Sequence, residues 1–358
     1  MSEQEVMKAL PHPVYFVTKN TKVWQPLINS ISPPTVEEVY DKLLDGSDCW
    51  CVQTYIYLKR LGLDVHLVPH YVPGRICITS YDDLEPRDLP FRSYVVVCRC
   101  DRARPEICEQ RIVHNHLNVI NHTDHLLPPW PQPNLQPRVP SRGTKIENIV
   151  FKGLEYNLAA PFKSAEFLAQ LQTLGVKLLL SSADLKTRRC DDWINYTTAD
   201  LVLAVRNSTE YDLSIKPPNK LINAWFAGCP ALLGPEPAYQ FLRESELDYI
   251  EVRGPDDVIS AISRLQNNPK LYAAMIDNGF QRARAFTPER TALLWSNLLA
   301  GSITEGYERW LRQSPIQKLV GRPVQFARRK MQHKRESQYS LVNIHTGPRL
   351  FSEPIPDR

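Results

Sequence analysis

Two lysines four residues apart, Lys216 and Lys220, bracket a Pro217-Pro218-Asn219 turn. They open an apolar helical run that stops at Gly228-Cys229-Pro230. This grouping suits an anion: a helix N-terminus offers unpaired backbone N–H groups and the positive end of its dipole, and flanking lysines add formal charge. Asn219 reads as the N-cap or as a free amide, and Asn223 follows one turn later. Arg206 closes the strand-like run Asp200-Leu-Val-Leu-Ala-Val-Arg206 and supplies a third cation. Its plainer use is a salt bridge to Asp212 or Glu210. Gly153 follows the apolar run Ile149-Val-Phe151, where the absence of a side chain lets the backbone approach a ligand closely.

A second group lies earlier. Cys98-Arg-Cys-Asp-Arg-Ala-Arg104 follows an apolar strand. There Arg99 and Arg102 could meet phosphate or an anionic acceptor, and Asp101 could take the proton of a hydroxyl as general base. His125, in His122-Thr-Asp-His125, titrates in the right range for the same task, with Asp124 beside it to orient the ring. The plainer readings are a charged surface loop and a polar turn. Cys98, Cys100, Cys108, His114 and His116 are metal-ligand types. Their spacing makes no tight knuckle and Cys98 belongs to a packed strand, so no metal and no cofactor are assigned.

The elements that must position these residues alternate in kind. In the first half, strands are expected at 14–17, 64–68, 75–79, 94–98 and, more weakly, 112–114, with helices over 36–44 and 49–61, the latter stopped by Gly62. Six prolines between Leu126 and Pro140 exclude helix or central strand there and read as a stiff connection. In the second half, strands at 149–151, 176–181, 201–205, 231–233 and 249–252 alternate with helices at 165–174, 192–198, 219–227, 237–244 and 256–266. Helices at 269–285 and 288–300 follow. Such alternation predicts a doubly wound parallel α/β sheet.

Taken in order, several of these runs resemble the C-terminal domain of two-domain GT-B glycosyltransferases of the group 1, family 4-like kind, over roughly residues 145–300. They are Ile149-Val-Phe-Lys-Gly153, Asp192-Trp-Ile-Asn-Tyr196, Ala199 to Arg206, Lys216 to Pro230 and Asp248-Tyr-Ile-Glu-Val252. The resemblance implies two Rossmann-like domains facing a cleft: an acceptor-side domain over 1–127, a proline-rich connection over 128–144 and a nucleotide-sugar domain with closing helices over 145–311. A basic, mobile tail would fill 312–358. It implies transfer of a sugar from a nucleoside diphosphate sugar to a hydroxyl of a glycan or lipid-linked acceptor, without a metal. Gly153, Arg206, Lys216, Asn219, Lys220 and Asn223 would hold the donor, Arg99 and Arg102 would line the cleft, and Asp101 or His125 would act as base in an inverting reaction. Asn223 stands where many retaining members carry a ribose-binding glutamate, and Lys216-Pro-Pro replaces their usual acidic loop. A catalytically silent relative that binds a nucleotide sugar or a partner is therefore the second reading. Epimerisation is a third, with Glu155 or Asp192 as its carboxylates.

The chain as a whole sets the frame. Its 358 residues, 43% of them hydrophobic, suit two soluble domains, with no apolar run of the ~20 residues needed to span a bilayer and no signal-peptide pattern. The lack of that pattern favours the cytoplasm, where the eight cysteines are expected as free thiols. The net charge of +4 is uneven: ten Lys/Arg and three Asp/Glu follow from Arg312 onward, leaving the body net acidic and disfavouring nucleic acid as partner. The same tail is the element that would touch the inner membrane face.

Overall fold

The computed structural model describes residues 7–28, 30–180 and 191–351. The chain forms two compact units, Met1–Trp130 with Pro288–Val342 and Pro131–Thr287 with Asn343–Arg358.

The first unit is built on β1 (Val14–Val17), β2 (Val65–Val68), β3 (Ile76–Ser80), β4 (Tyr94–Cys98), β5 (Gln110–Val113) and β6 (Asp124–Leu126), with α1 (Thr21–Trp24) and α2 (Gln53–Arg60) between the early strands. All six strands are parallel in the order β2-β1-β3-β4-β5-β6. Alternation within β4 explains how both faces are covered. Tyr94, Val96 and Cys98 join the large core under α2, and Val95 and Val97 pack with Leu84, Ile107 and Cys108 on the other side. The stretch expected as a helix over 36–44 is a 3-10 turn at Glu37–Lys42. A π turn at Asp48–Val52 leads into α2, and the buried Asp48 carboxylate there accepts from Trp24 Nε1 at 2.6 Å. Strand β6 carries no strand signal in the sequence, because its residues, Asp-His-Leu, are mostly polar.

The second unit carries β7 (Asn148–Phe151), α3 (Ala165–Thr173), β8 (Lys177–Leu180), β9 (Leu201–Ala204), α4 (Glu210–Ile215), α5 (Asn219–Ala227), β10 (Ala231–Leu233), α6 (Pro237–Leu242), β11 (Ile250–Glu251), α7 (Pro255–Gln266) and α8 (Pro269–Ala283). Its sheet is parallel throughout, ordered β11-β10-β9-β7-β8. Successive side chains of β9 alternate between two cores, Leu201 and Leu203 facing one and Val202 and Ala204 the other. Both faces are covered, and the doubly wound parallel expectation holds. Gly228 ends α5 in the left-handed conformation at φ 64, where a Cβ would strike Phe280 at 2.7 Å. The expected 192–198 helix is a 3-10 turn at Asp191–Ile194, and Ser181 of the expected 176–181 strand lies outside the described residues.

The proline-rich stretch beyond Trp130 is tied to this unit. Arg138 Nη2 and Arg142 Nε donate to the wholly buried Asp200 carboxylate at 2.9 and 2.7 Å, and the backbone N–H groups of Glu147 and Asn148 add two more bonds. Burial alone would raise the Asp200 pKa, but these donors hold it below the usual carboxylate range.

At Pro288 the chain returns to the first unit through α9 (Pro288–Leu298), α10 (Thr304–Leu311) and α11 (Arg322–Thr346), of which the residues from Asn343 on belong to the second unit. This departs from the expected boundary at 311. Trp295 lies 6.3 Å from Phe16, ring to ring, and Tyr307 donates to the Gly74 carbonyl at 2.7 Å, so α9 and α10 complete the first core. The segment expected as a mobile tail is helical over Arg322–Thr346, with Arg329 paired to Glu109 at 2.6 Å. Seven of the eight cysteines are free thiols, and Cys190 lies outside the described residues. Among the described residues no helix is long and apolar enough to cross a membrane.

Candidate anion-binding site

In the second unit the chain runs from β7 outward to β8 and then back past β7 to β9. In open parallel sheets this reversal opens a crevice beyond the carboxyl ends of the two central strands, where ligands bind. The residues leaving β7 there are Lys152 and Gly153, and those leaving β9 are Val205 and Arg206. Four of the expected donor residues therefore meet at this crevice: Gly153, Arg206, Lys216 and Lys220.

Lys220, in the first turn of α5, donates its ammonium to the Lys152 carbonyl and lies 5.1 Å from the Phe151 ring centre. A Cβ on Gly153 would sit 3.0 Å from Lys220 Nζ and 3.1 Å from the Phe151 ring. Glycine at 153 thus leaves the lysine its place. Lys152 itself is buried, with its Nζ 5.3 Å from the Tyr196 ring centre. Lys216, at the end of α4, is paired with Asp212 at 3.1 Å, and Asp212 N is capped by Thr209 Oγ1. The helix α5 starts without a side-chain cap, at the carboxyl-end side where Lys220 meets the Lys152 carbonyl.

Arg206 forms its salt bridge with Glu236 and not with Asp212 or Glu210. Glu236 follows β10 in the Gly234-Pro235-Glu236 turn and is 1% exposed, and its Oε1 has no hydrogen-bond partner. Burial raises its pKa, while Arg206, Lys220 and Lys216 all pull it back down. Among the described residues, Arg206, Lys216 and Lys220 thus share one small region with the carboxylates of Glu236 and Asp212. Sequence reasoning missed Glu236, because a lone glutamate after Gly-Pro has the appearance of a turn residue.

Asn219 is the first residue inside α5 and not its cap, because Pro218 already occupies the cap position. Its buried Oδ1 has no hydrogen-bond partner. One turn on, Asn223 Oδ1 accepts from the backbone N–H of Gln132 at 3.4 Å, an anchoring contact.

The first unit treats its candidates differently. Cys100 takes the left-handed conformation at φ 56, a strained setting for a side chain with a Cβ, and turns the chain sharply between Arg99 and Asp101. Arg99 is buried, donating to Asn118 Oδ1 and to the Arg102 carbonyl, while Arg102 pairs with Asp82 at 3.0 Å. Both arginines are engaged structurally. His125 lies within β6 with Nε2 on Gln110 Oε1, and burial lowers its pKa. Asp124 points to the other sheet face and bonds Arg104 at 2.9 Å, so it does not orient His125. Near Asp101 in this unit, His114 is a buried ring stacked on Trp50 with centres 3.5 Å apart, and the Asp101 charge opposes only weakly what burial does to its pKa. Burial lowers the His114 pKa to about 4, and its Nδ1 bonds the Leu127 carbonyl while Nε2 has no partner. Cys98 and Cys100 pack in one core and Cys108 in the other.

No family model matches the chain, and no curated protein matches it. Among solved structures it is similar to sucrose-phosphate synthase (tll1590) from Thermosynechococcus elongatus, at 12% identity over 85% of this chain and 100% of that one, with a TM-score of 0.49. The Anabaena protein Alr3699/HepE, in complex with UDP and glucose, matches at 11% identity over 81% and 99%, TM-score 0.49. AviGT4, a glycosyltransferase involved in avilamycin A biosynthesis, matches at 14% over 82% and 99%, TM-score 0.47.

Proposed function

We propose that this protein is a glycosyltransferase of the GT-B type that binds the diphosphate of a nucleoside diphosphate sugar in its second unit. The observation that carries the reading is the meeting of Arg206, Lys216, Lys220 and the uncapped α5 N-terminus at the carboxyl ends of β7 and β9. As the acceptor hydroxyl oxygen attacks the anomeric carbon, the bond from that carbon to the β-phosphate oxygen breaks. The oxygen leaves with the electron pair, and cations and backbone donors aimed at it stabilise the growing charge. Metal-independent leaving-group stabilisation is part of this proposal, as are Asn219, with its unpartnered Oδ1, and Asn223 as further donor contacts.

The acceptor, a hydroxyl of a glycan or lipid-linked glycan, is assigned to the first unit, with Arg99 and Arg102 shaping its site. Asp101, in the turn after β4, is the preferred base of an inverting reaction. His125 comes second because its Nε2 is already bonded to Gln110. Asp101→Asn is expected to lower kcat by roughly 10²- to 10⁴-fold, the usual span for a general base, and His125→Gln by far less. A hexosyl donor, polysaccharide biosynthesis, a cytoplasmic location and a peripheral membrane contact through the C-terminal stretch belong to the same reading.

Thermal unfolding with UDP, GDP, ADP, CMP and dTDP tests it. One nucleoside diphosphate at a hundred times its Kd should stabilise the fold by about 2.7 kcal/mol, and Lys216→Ala or Lys220→Ala should remove the shift. No shift with any of them, together with no sugar transfer or donor hydrolysis, would favour the catalytically silent relative. The anchoring of Asn223 on Gln132 is the observation on that side.

A further inference from the structure

The helical run that begins at Pro315, passes through a π turn at Gln317–Gly321 and continues as α11 is oriented unambiguously by its contacts. Its inner face is largely polar. Arg329 pairs with Glu109, His333 Nδ1 accepts from the Glu106 N–H at 3.4 Å, and Ser337 Oγ bonds the Tyr81 hydroxyl at 2.8 Å. Phe326, 5.0 Å from Phe91 ring to ring, is the main apolar anchor. The outer face is the apolar one. Ile316 is 75% exposed, Leu319 78%, Val320 58%, Val324 64% and Met331 61%. Residues 316, 320, 324 and 331 recur at helical spacing and form one ridge. Arg328 and Arg335 flank it on one side, Lys330 and Lys334 on the other, and all four are exposed. No Asp or Glu occurs between Arg309 and Arg335.

An exposed apolar ridge between two cationic margins is the pattern of a helix that lies in the headgroup layer, with apolar side chains below and cations against anionic lipid. Water alone does not favour it, because such side chains gain nothing from exposure. We propose that this face, centred on Ile316, Val320, Val324 and Met331, docks the protein on an anionic membrane surface. Charge selects the lipid over an acidic protein groove: the cations stand in two rows on either side of the ridge, where a flat plane of headgroups meets both at once. The proposal deepens the peripheral-contact part of the functional reading and does not depend on the donor site.

The test is sedimentation of the full-length protein with vesicles of phosphatidylcholine alone and of phosphatidylcholine with phosphatidylglycerol. The wild type should sediment with the anionic vesicles and stay in solution with the neutral ones. The quadruple variant R328Q/K330Q/K334Q/R335Q should lose roughly fivefold in binding per charge removed. The I316S/V320S/V324S variant should be released from anionic vesicles while keeping its thermal stability, since these side chains touch little of the fold. Failure of the wild type to bind anionic vesicles overturns the proposal. So does equal binding to neutral ones, or full retention by the serine variant. Nucleotide-induced stabilisation, measured in parallel without vesicles, reports separately on the donor site and should be unchanged in both variants.

Discussion

Arg206 is held by Glu236, a carboxylate enclosed by protein that nonetheless keeps one oxygen without a hydrogen bond. The pair sits beyond the end of β9, and the buried carboxylate fixes the place of the Arg206 guanidinium. Removing only one partner of a buried pair strands the other and costs about 3–5 kcal/mol, whereas replacing both by apolar groups is often close to neutral. Arg206→Ala should therefore lower stability by about that amount in urea unfolding. The double variant R206M/E236L should recover most of it but not the nucleotide-induced thermal shift. Recovery of both would show that the pair serves structure alone.

Gly153 tests the crowding at the same site. Its Cβ position lies within 3.1 Å of both Lys220 and Phe151. Gly153→Ala should displace the ammonium and weaken nucleotide binding about tenfold, with an overpacking cost of about 1–3 kcal/mol. Isothermal titration beside thermal unfolding separates the two effects.

The Asp200 cluster predicts a purely structural phenotype. Arg138→Ala removes one of the two arginines facing a buried carboxylate. A loss of about 3–5 kcal/mol is expected in chemical unfolding, with nucleotide affinity unchanged after correction for the folded fraction.

Asp48 gives stability a pH dependence of definite sign. Burial raises its carboxyl from 3.8 to about 6, against the Trp24 hydrogen bond that lowers it. Between those values the folded chain holds a proton that the unfolded chain has lost, so this group makes stability fall as pH rises from about 4 to about 6. Asp48→Asn should flatten that part of the profile, measured as midpoint temperature against pH.

The fold is legible in the sequence only where apolar residues face inward. Runs such as Ile149-Val-Phe151 and Leu201-Val-Leu-Ala204 are buried on both faces and bounded by turn residues, so their identity as central parallel strands was legible. The bounds of α5, Asn219–Ala227, match the expected helix 219–227, because lysines open it and Gly228 closes it. The helix α11 was not legible, since its apolar residues face outward and its packing face is built from Arg329, His333 and Ser337. Hydrophobic periodicity presupposes an apolar inside, and here that premise is inverted. The pairings Arg206–Glu236 and Arg138–Asp200 span 30 and 62 residues, a reach no local pattern reveals.

The return of the chain at Pro288 has a consequence for synthesis. The core formed by Phe16 and Tyr55 is closed by Trp295, Ile303 and Tyr307, which leave the ribosome only after the whole of Pro131–Thr287 has been made. At common elongation rates that interval lasts roughly 8–30 s. Through it the first 130 residues wait with a greasy surface uncovered, while the unit encoded later already has most of what it needs to fold. The order of completion therefore runs against the order of translation, and the segment that ends at Trp130 is the one left longest without its closing helices.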